Sequence, residues 1–122
     1  MPEKLITKIG IETEDYGGAH SLKCPRCGSD YLHHYAVTMY ERGEDADTVV
    51  RTHIEKGATK TEIVPSSADN PSSRRQGMTI SFVCEQCPDR NDSPRIELTI
   101  AQHKGNTEIG WRHKPPAPTK AR

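Results

Sequence analysis

The chain has 122 residues, and its 17 basic and 17 acidic side chains cancel to a formal net charge of zero, which argues against a strong nonspecific DNA binder. Leu, Ile, Val and Phe make up about 16% of it, under the ~20% at which composition begins to indicate disorder, but the disorder signature also needs a high net charge. We therefore predict one small domain with tails, whose thin apolar core needs a further source of stability.

Residues 1–20 are predicted to form an arm or an edge strand, because Leu5, Thr7, Ile9 and Ile11 alternate only weakly with polar residues. The segment lacks the charged region and apolar stretch of a secretion signal, and the sequence holds no apolar run long enough to span a membrane. We therefore expect a cytoplasmic protein with reduced thiols and no membrane partner, in the host cytoplasm if a phage encodes it.

The domain is predicted to span residues 21–112 and to open with Cys24-Pro25-Arg26-Cys27-Gly28, which has the form of a zinc knuckle. Residues 30–41 then alternate as a β-strand does. One face of this strand is predicted to carry Leu32, His34, Ala36, Thr38 and Tyr40. Two further strands are expected at 47–55 and 59–64, which makes this stretch an inserted β-hairpin region.

Residues 65–77 are rich in Pro, Ser, Asp and Asn and are predicted to form a mobile loop. The strand at 78–84 leads from this loop into the second cysteine pair, Cys84-Glu85-Gln86-Cys87. This pair departs from the knuckle form, because Pro88 stands where a glycine is usual.

Two more strands are expected at 95–103 and 107–112, and the basic, Pro-rich tail at 113–122 is expected to be disordered. Apolar residues nowhere recur at helical spacing over three turns. The predicted fold class is therefore all-β: a zinc ribbon with two C-x2-C knuckles, an inserted β-hairpin region between them and flexible termini.

The two C-x2-C pairs hold all four cysteines, Cys24, Cys27, Cys84 and Cys87. Each pair puts two thiolates on one tight turn, and two such turns supply the four soft ligands of a tetrahedral Zn²⁺ with no position open for water. We therefore predict one structural zinc, which contributes on the order of 10–16 kcal/mol of apparent folding free energy. The alternatives are a redox dithiol, disulfides, or a site in which His20 replaces one cysteine.

Segments around and beyond the cysteines carry a resemblance to a family. They are Cys24-Pro25-Arg26-Cys27-Gly28-Ser29-Asp30-Tyr31-Leu32-His33, Asn70-Pro71-Ser72-Ser73-Arg74-Arg75-Gln76-Gly77, Phe82-Val83-Cys84-Glu85-Gln86-Cys87, Gln102-His103-Lys104-Gly105-Asn106-Thr107 and Trp111. In these the chain resembles small zinc-ribbon proteins of actinobacteria and their phages, over most of residues 24–112. The resemblance implies a zinc-stabilised β module without an assigned activity.

Five basic residues are candidates for nucleic-acid binding, because guanidinium and ammonium groups bind phosphates. They are Arg74, Arg75, Lys104, Arg112 and Lys114. The alternative is that these residues are solvated charges. Tyrosines and Trp111 would stack on bases if exposed, or else fill the thin core.

The sequence contains no nucleotide-binding, hydrolase, metalloprotease or deaminase motif, so we predict that the chain is not an enzyme. The favoured function is DNA or RNA binding, or regulation, within a transcription or replication complex. The alternative is a protein–protein interaction module that holds its partner through exposed strands or its tail, since zinc ribbons serve both roles.

Overall fold

The computed structural model describes residues 21–66, 69–87 and 95–114. Within these ranges the chain forms six antiparallel strands and no helix, which confirms the all-β prediction. The strands are β1 (Leu32–Glu41), β2 (Thr48–Glu55), β3 (Ala58–Pro65), β4 (Gly77–Cys84), β5 (Ile96–His103) and β6 (Asn106–His113). The bounds of each lie within two residues of those predicted from the sequence.

Some of the predicted features lie outside the described ranges. They are the arm at 1–20 (including His20), residues 67–68 of the predicted mobile loop, Pro88, and residues 115–122 of the tail. In the part of the chain that the structure does describe, no helix is long and apolar enough to cross a membrane.

The six strands form one sheet in the order β3-β2-β1-β4-β5-β6. Strands β1 to β3 and strands β4 to β6 are therefore two antiparallel meanders, joined where β1 pairs with β4. Two-residue turns at Lys56-Gly57 and Lys104-Gly105 connect β2 to β3 and β5 to β6. All four of these residues have positive φ, as in a type I′ turn, whose twist matches that of the flanking strands.

A β-bulge at Tyr35 divides β1 into two parts. Before it His34 pairs with Phe82 of β4, and after it Ala36 pairs with Ser81, so β1 contains one extra residue. Directly paired residues share a face, and the extra residue therefore reverses which side chains of β1 lie on the Phe82 side. The prediction of one shared face is wrong for the set Leu32, His34, Ala36, Thr38 and Tyr40.

The face of the sheet that carries Phe82 is called the apolar face below. Two rows of paired residues cross it from β3 to β6. The first row is Thr59, Ile54, Val37, Ile80, Leu98 and Trp111, and the second is Thr61, Thr52, Met39, Met78, Ile100 and Ile109. Neither of these rows in the described strands contains a charged residue. The opposite face carries charged pairs, among them Glu97–Arg112 and Lys60–Glu62.

The hydrophobic core occupies one end of the apolar face. Its buried residues are Cys24, Phe82, Cys84, Ile96, Leu98 and Trp111. The rings of Phe82 and Trp111 meet edge to face with their centroids 5.6 Å apart, the arrangement that aromatic quadrupoles favour. Because Cys24 and Cys84 belong to this core, the cysteine cluster and the apolar core form one structural unit.

The described part of the loop before β4, residues 69–76, packs against the opposite face. The buried Ser72 hydroxyl donates a hydrogen bond of 2.8 Å to the carbonyl of Gln102 in β5. A Cβ at Gly77 would clash with the side chain of Asn70, so the loop approaches β4 more closely than any residue but glycine allows. The loop thus shields one side of the sheet while the apolar face remains partly open.

Candidate metal centre

The two cysteine pairs meet because β1 and β4 are antiparallel neighbours. The first pair lies just before β1, and the second begins at the last residue of β4. The register pairs Leu32 at the start of β1 with Cys84 at the end of β4. A backbone hydrogen bond of 3.0 Å from the Glu85 N–H to the Tyr31 carbonyl continues this contact beyond the strands. Residues far apart in sequence are therefore brought together at one end of the two central strands.

The four sulfur atoms have the spacing of a tetrahedral metal site. All lie within 4.8 Å of one another, with Cys24 and Cys87 sulfurs 3.8 Å apart and Cys27 and Cys84 sulfurs 3.6 Å apart. Four thiolates at the Zn–S distance of ~2.3 Å would form a tetrahedron with edges of about 3.8 Å. A disulfide requires an S–S distance of ~2.05 Å, so these cysteines are not disulfide-bonded.

The first knuckle is held by its own backbone. The Gly28 N–H donates to the Cys24 carbonyl at 2.8 Å, and the Cys24 N–H donates to the Ser29 carbonyl at 2.8 Å. Gly28 has a φ of +79°, a conformation that favours glycine. The Arg26 N–H lies 3.4 Å from the Cys24 sulfur, toward which it donates. Such N–H···S contacts stabilise thiolate charge, which suits a metal ligand.

The environment shifts the cysteine pKa values in different directions. Burial raises the pKa of Cys24 and that of Cys87. Burial also acts on Cys84, but hydrogen bonds from the Gln86 N–H and from neighbouring thiols bring the pKa of Cys84 below its ordinary value. A metal ion must displace protons from such thiols, so binding of zinc releases protons and weakens as the pH falls.

The donor set, its spacing and its backbone support fit one structural Zn²⁺. Cys24, Cys27, Cys84 and Cys87 would supply all four ligands, which leaves no position open for water or substrate. Among the described residues no histidine or carboxylate joins this cluster. The four predicted ligands are thus confirmed to lie close enough together to bind one zinc ion, and the fold is compatible with a zinc ribbon.

The arginines predicted to contact phosphates have carboxylate neighbours. Arg74 donates to Asp45 at 2.7 and 2.9 Å and to Glu44 at 3.1 Å, and Arg75 donates to Glu44 at 2.8 Å. The hydrogen bond from Arg74 lowers the pKa of Asp45. These contacts tie the loop before β4 to the turn between β1 and β2, with both partners exposed to solvent.

The five predicted basic residues do not form one surface. Arg74, Arg75 and Lys104 lie at the end of the sheet where β4 and β6 begin, whereas Arg112 and Lys114 lie near the cysteine cluster. The two groups are about 20 Å apart along the strands, at ~3.4 Å per residue. Arg112 donates to the buried Glu97 at 2.6 Å and to the Asp69 carbonyl, so it also has a structural role.

Two features were missed in the sequence. The first is the apolar face, whose exposed side chains are Met39, Val50, Ile54, Ile63 and Ile109. That these residues share one side follows only from the register across all six strands. Simple alternation along β1 does not predict it, because the bulge at Tyr35 changes which residues of β1 lie on that side. The second feature is a pair of cations over the ring of Tyr35, one of the tyrosines considered above for stacking on bases. Arg95 is 5.4 Å and Lys114 is 5.2 Å from its centroid.

Comparison with known proteins gives no relative for this chain. No protein-family model matches it, and neither the curated proteins nor the solved structures contain a match. The resemblance to small zinc-ribbon proteins of actinobacteria and their phages stays a prediction. What can be said of function therefore depends on the geometry of the sheet and its cysteine cluster.

Proposed function

We propose that this chain is a zinc-stabilised β-sheet module that binds another protein through the apolar face of its sheet. The observation that supports this is the exposure of large apolar side chains on that face. Ile63 is 72% exposed and Met39 is 47% exposed, and both lie on the same side as Val50, Ile54 and Ile109. Contiguous apolar patches on soluble proteins mark interaction surfaces, whereas single exposed apolar residues do not.

The chemistry of the two faces supports the same proposal. Protein interfaces are depleted in charged residues at their centre, and the two central rows of the apolar face are free of charge in the described strands, whereas the next row, with Val50 and Ile63, carries Glu41. The opposite face carries the ion pairs Glu97–Arg112 and Lys60–Glu62 and is partly shielded by the loop before β4. In the proposed function, the zinc site stabilises the fold and the apolar face of the sheet binds the partner protein.

A paired capture experiment tests the proposal. Tagged wild type, Ile63→Lys and Glu62→Gln are used as baits, with bound proteins and nucleic acids both identified and quantified. Ile63 lies on the apolar face and Glu62 is its neighbour on the opposite face, and both substitutions change the charge by the same amount. We expect Ile63→Lys to reduce capture of the specific protein by at least about tenfold, the loss typical of an interface hot spot.

The control should retain the wild-type partner at wild-type level, since it leaves the apolar face intact. All three baits must contain zinc and show the same far-UV circular dichroism. Equal capture by wild type and Ile63→Lys would overturn the proposal.

Nucleic-acid binding is the second candidate, favoured by the cation pair at Tyr35. Arg95 and Lys114, which lie over the Tyr35 ring, form a small group of positive charge that would attract phosphate. Two observations weigh against a larger nucleic-acid surface. The chain is neutral, and Arg74 and Arg75 already bond carboxylates.

A salt titration of oligonucleotide binding tests this second candidate. If Lys114 contacts a phosphate, Lys114→Ala should lower the log–log salt slope by about one unit. Arg74→Ala with Arg75→Ala should lower it by about two units if both arginines leave their carboxylates for phosphates. Fluorescence anisotropy with single- and double-stranded oligonucleotides gives the slopes. No binding at low salt by the zinc-loaded protein would remove this candidate.

A further inference from the structure

We infer that this chain forms a homodimer through the outer edge of β3, so that the sheets of two copies join into one continuous sheet. The inference concerns the edge of the sheet and not its apolar face, so it goes beyond the proposed function and does not depend on it. Three observations support it. The edge of β3 is open, its backbone groups suit a two-fold pairing, and its two charged residues complement those of a second copy.

The outer edge of β3 is open. In the described part of the chain β3 is the end strand of the sheet and pairs only with β2, over eight residues without a bulge. Such an edge presents a row of unpaired N–H and C=O groups, which a bulge, a short strand or an interior proline would block. Pro65 is only the last residue of β3, and the β-branched residues Thr59, Thr61, Ile63 and Val64 favour a strand.

The pairing with β2 determines which backbone groups of β3 point outward. Just beyond the strand, the Ser66 N–H donates to the Asp47 carbonyl at 3.0 Å. Bonded and non-bonded residues alternate along an antiparallel strand, so the even-numbered residues of β3 bond to β2. The N–H and C=O groups of Thr59, Thr61 and Ile63 therefore point away from the sheet.

A two-fold axis at Thr61 uses all of these outward groups. It places Thr61 opposite Thr61 of the second copy, and Thr59 opposite Ile63 of the second copy. Each of these pairs exchanges two backbone hydrogen bonds, which makes about six in all. An isologous contact between two strands needs this match between outward residues, and the phase of β3 provides it.

The same axis places Lys60 opposite Glu62 of the second copy, and Glu62 opposite Lys60. These would be non-hydrogen-bonded pairs, in which facing side chains are closest, and opposite charges at such positions stabilise the pairing. Lys60 would repel its own copy if it stood alone, but Glu62 lies two residues away, with 3.6 Å between the Lys60 Nζ and the Glu62 Oε1. Four charges of alternating sign would thus meet at the centre of the interface.

The apolar side of the interface is also complementary. Ile63 is 72% exposed, and it would pack beside Thr59 and Thr61 of the second copy. Directly paired residues share a face, so the apolar faces of the two copies would lie on the same side of the joined sheet.

The other edge strand, β6, is less suited to this pairing. Gly110 lies in its interior, where glycine weakens a strand. Arg112 is already held by the Glu97 carboxylate and the Asp69 carbonyl. The outer edge of β6 can therefore serve as the control for that of β3.

Sedimentation velocity of the purified, zinc-loaded full chain tests the inference. We expect a monomer–dimer equilibrium with a dissociation constant in the micromolar range, because an interface between two strands is small. Thr61→Pro removes an outward N–H but no bond to β2, so it should raise the dissociation constant by at least about tenfold.

Thr107→Pro is the matched control on β6. The Lys114 N–H donates to the Arg95 carbonyl, so the odd-numbered residues of β6 point outward and Thr107 is one of them. Each substitution also removes one exposed side-chain hydrogen bond, between Thr52 and Thr61 or between Gln102 and Thr107. Thr107→Pro should leave the dissociation constant at its wild-type value.

An exchange of charges tests the pairing register. Lys60→Glu and Glu62→Lys each place like charges opposite one another, so each variant alone should have a dissociation constant raised by at least about tenfold. In an equimolar mixture every charge at these positions again faces its opposite, so the two variants should form a heterodimer with near wild-type affinity. All variants must contain zinc and show the far-UV circular dichroism of the wild type.

Three results would overturn the inference. They are a wild type that stays monomeric across the micromolar range, a dimer that Thr61→Pro does not weaken, and a mixture of the two charge variants that associates no more tightly than either alone. In each case capture of another protein that depends on Ile63 would leave the proposed function standing.

Discussion

Replacing Cys24 or Cys84 with serine is expected to abolish zinc binding and to remove most of the β-sheet signal. Both thiols are buried in the core, and each belongs to a different pair, so either change opens the tetrahedral site. Zinc at such a site contributes on the order of 10–16 kcal/mol of apparent free energy, comparable with or larger than the ~5–15 kcal/mol by which a typical domain is stable. The thin apolar core offers nothing of that size in its place.

Elemental analysis of the purified protein and far-UV circular dichroism measure the two effects. Wild type should contain one zinc per chain, and a chelator should unfold it. Gln86→Ser is the matched control, because Gln86 is an exposed residue between the ligands of the second pair. This variant should keep both zinc and sheet. A Cys84→Ser protein that retains the wild-type circular dichroism without metal would show that the fold does not depend on zinc.

Arg112→Met is expected to destabilise the protein by about 3 kcal/mol, for a reason unrelated to nucleic acid. The Arg112 Nε–H donates to Glu97 Oε1 at 2.6 Å, and the side chain of Glu97 is only 4% exposed. Removal of the arginine leaves a buried carboxylate without its cation, which typically costs about 3–5 kcal/mol. Urea unfolding of the zinc-loaded variant, followed by circular dichroism, gives the change in the free energy of unfolding.

Lys60→Met is the control for this measurement, since it breaks an ion pair with Glu62 that is 3.6 Å long and in which Lys60 is exposed. An exposed pair contributes about 0–1 kcal/mol, so this change should have little effect. The double variant Glu97→Leu with Arg112→Met should recover much of the lost stability, because it removes the buried carboxylate together with its cation. Equal destabilisation by the single and double variants would mean that Arg112 acts through other contacts, such as its bond to the Asp69 carbonyl.

The strands were predictable because their signals are local. Turn residues such as Lys56-Gly57 and Lys104-Gly105 mark the ends of the strands. Apolar and polar residues alternate in the stretches between the turns, as they do in β-strands. The side of the sheet on which each residue of β1 lies was not predictable in the same way. One extra residue at Tyr35 reverses the phase, and nothing in the local composition distinguishes a bulged strand from a regular one.

The metal ligands could be predicted from a local sequence signal, whereas the contacts of the basic residues could not. Two thiols on one short turn already specify the chemistry of a zinc site, so four cysteines sufficed to predict it. The partners of Arg74 and Arg75 belong to a turn about 30 residues earlier in the chain. Only the β1–β4 pairing brings Glu44 and Asp45 next to them, which is a tertiary relation that the loop sequence does not contain.

The arrangement of the sheet as two meanders has a consequence for the order in which the protein folds. Within each meander, every strand pairs with its sequence neighbour, and such local contacts form quickly. The β1–β4 junction is different, because it closes a chain segment of which Cys27 and Cys84, 57 residues apart, are the ends. Closing a loop of that length costs about 4 kcal/mol in chain entropy, and the cysteine cluster sits at the junction where this cost falls. Zinc bound to the four cysteines would offset this cost at the junction of the two meanders, which gives a second reason why the sheet should depend on the metal.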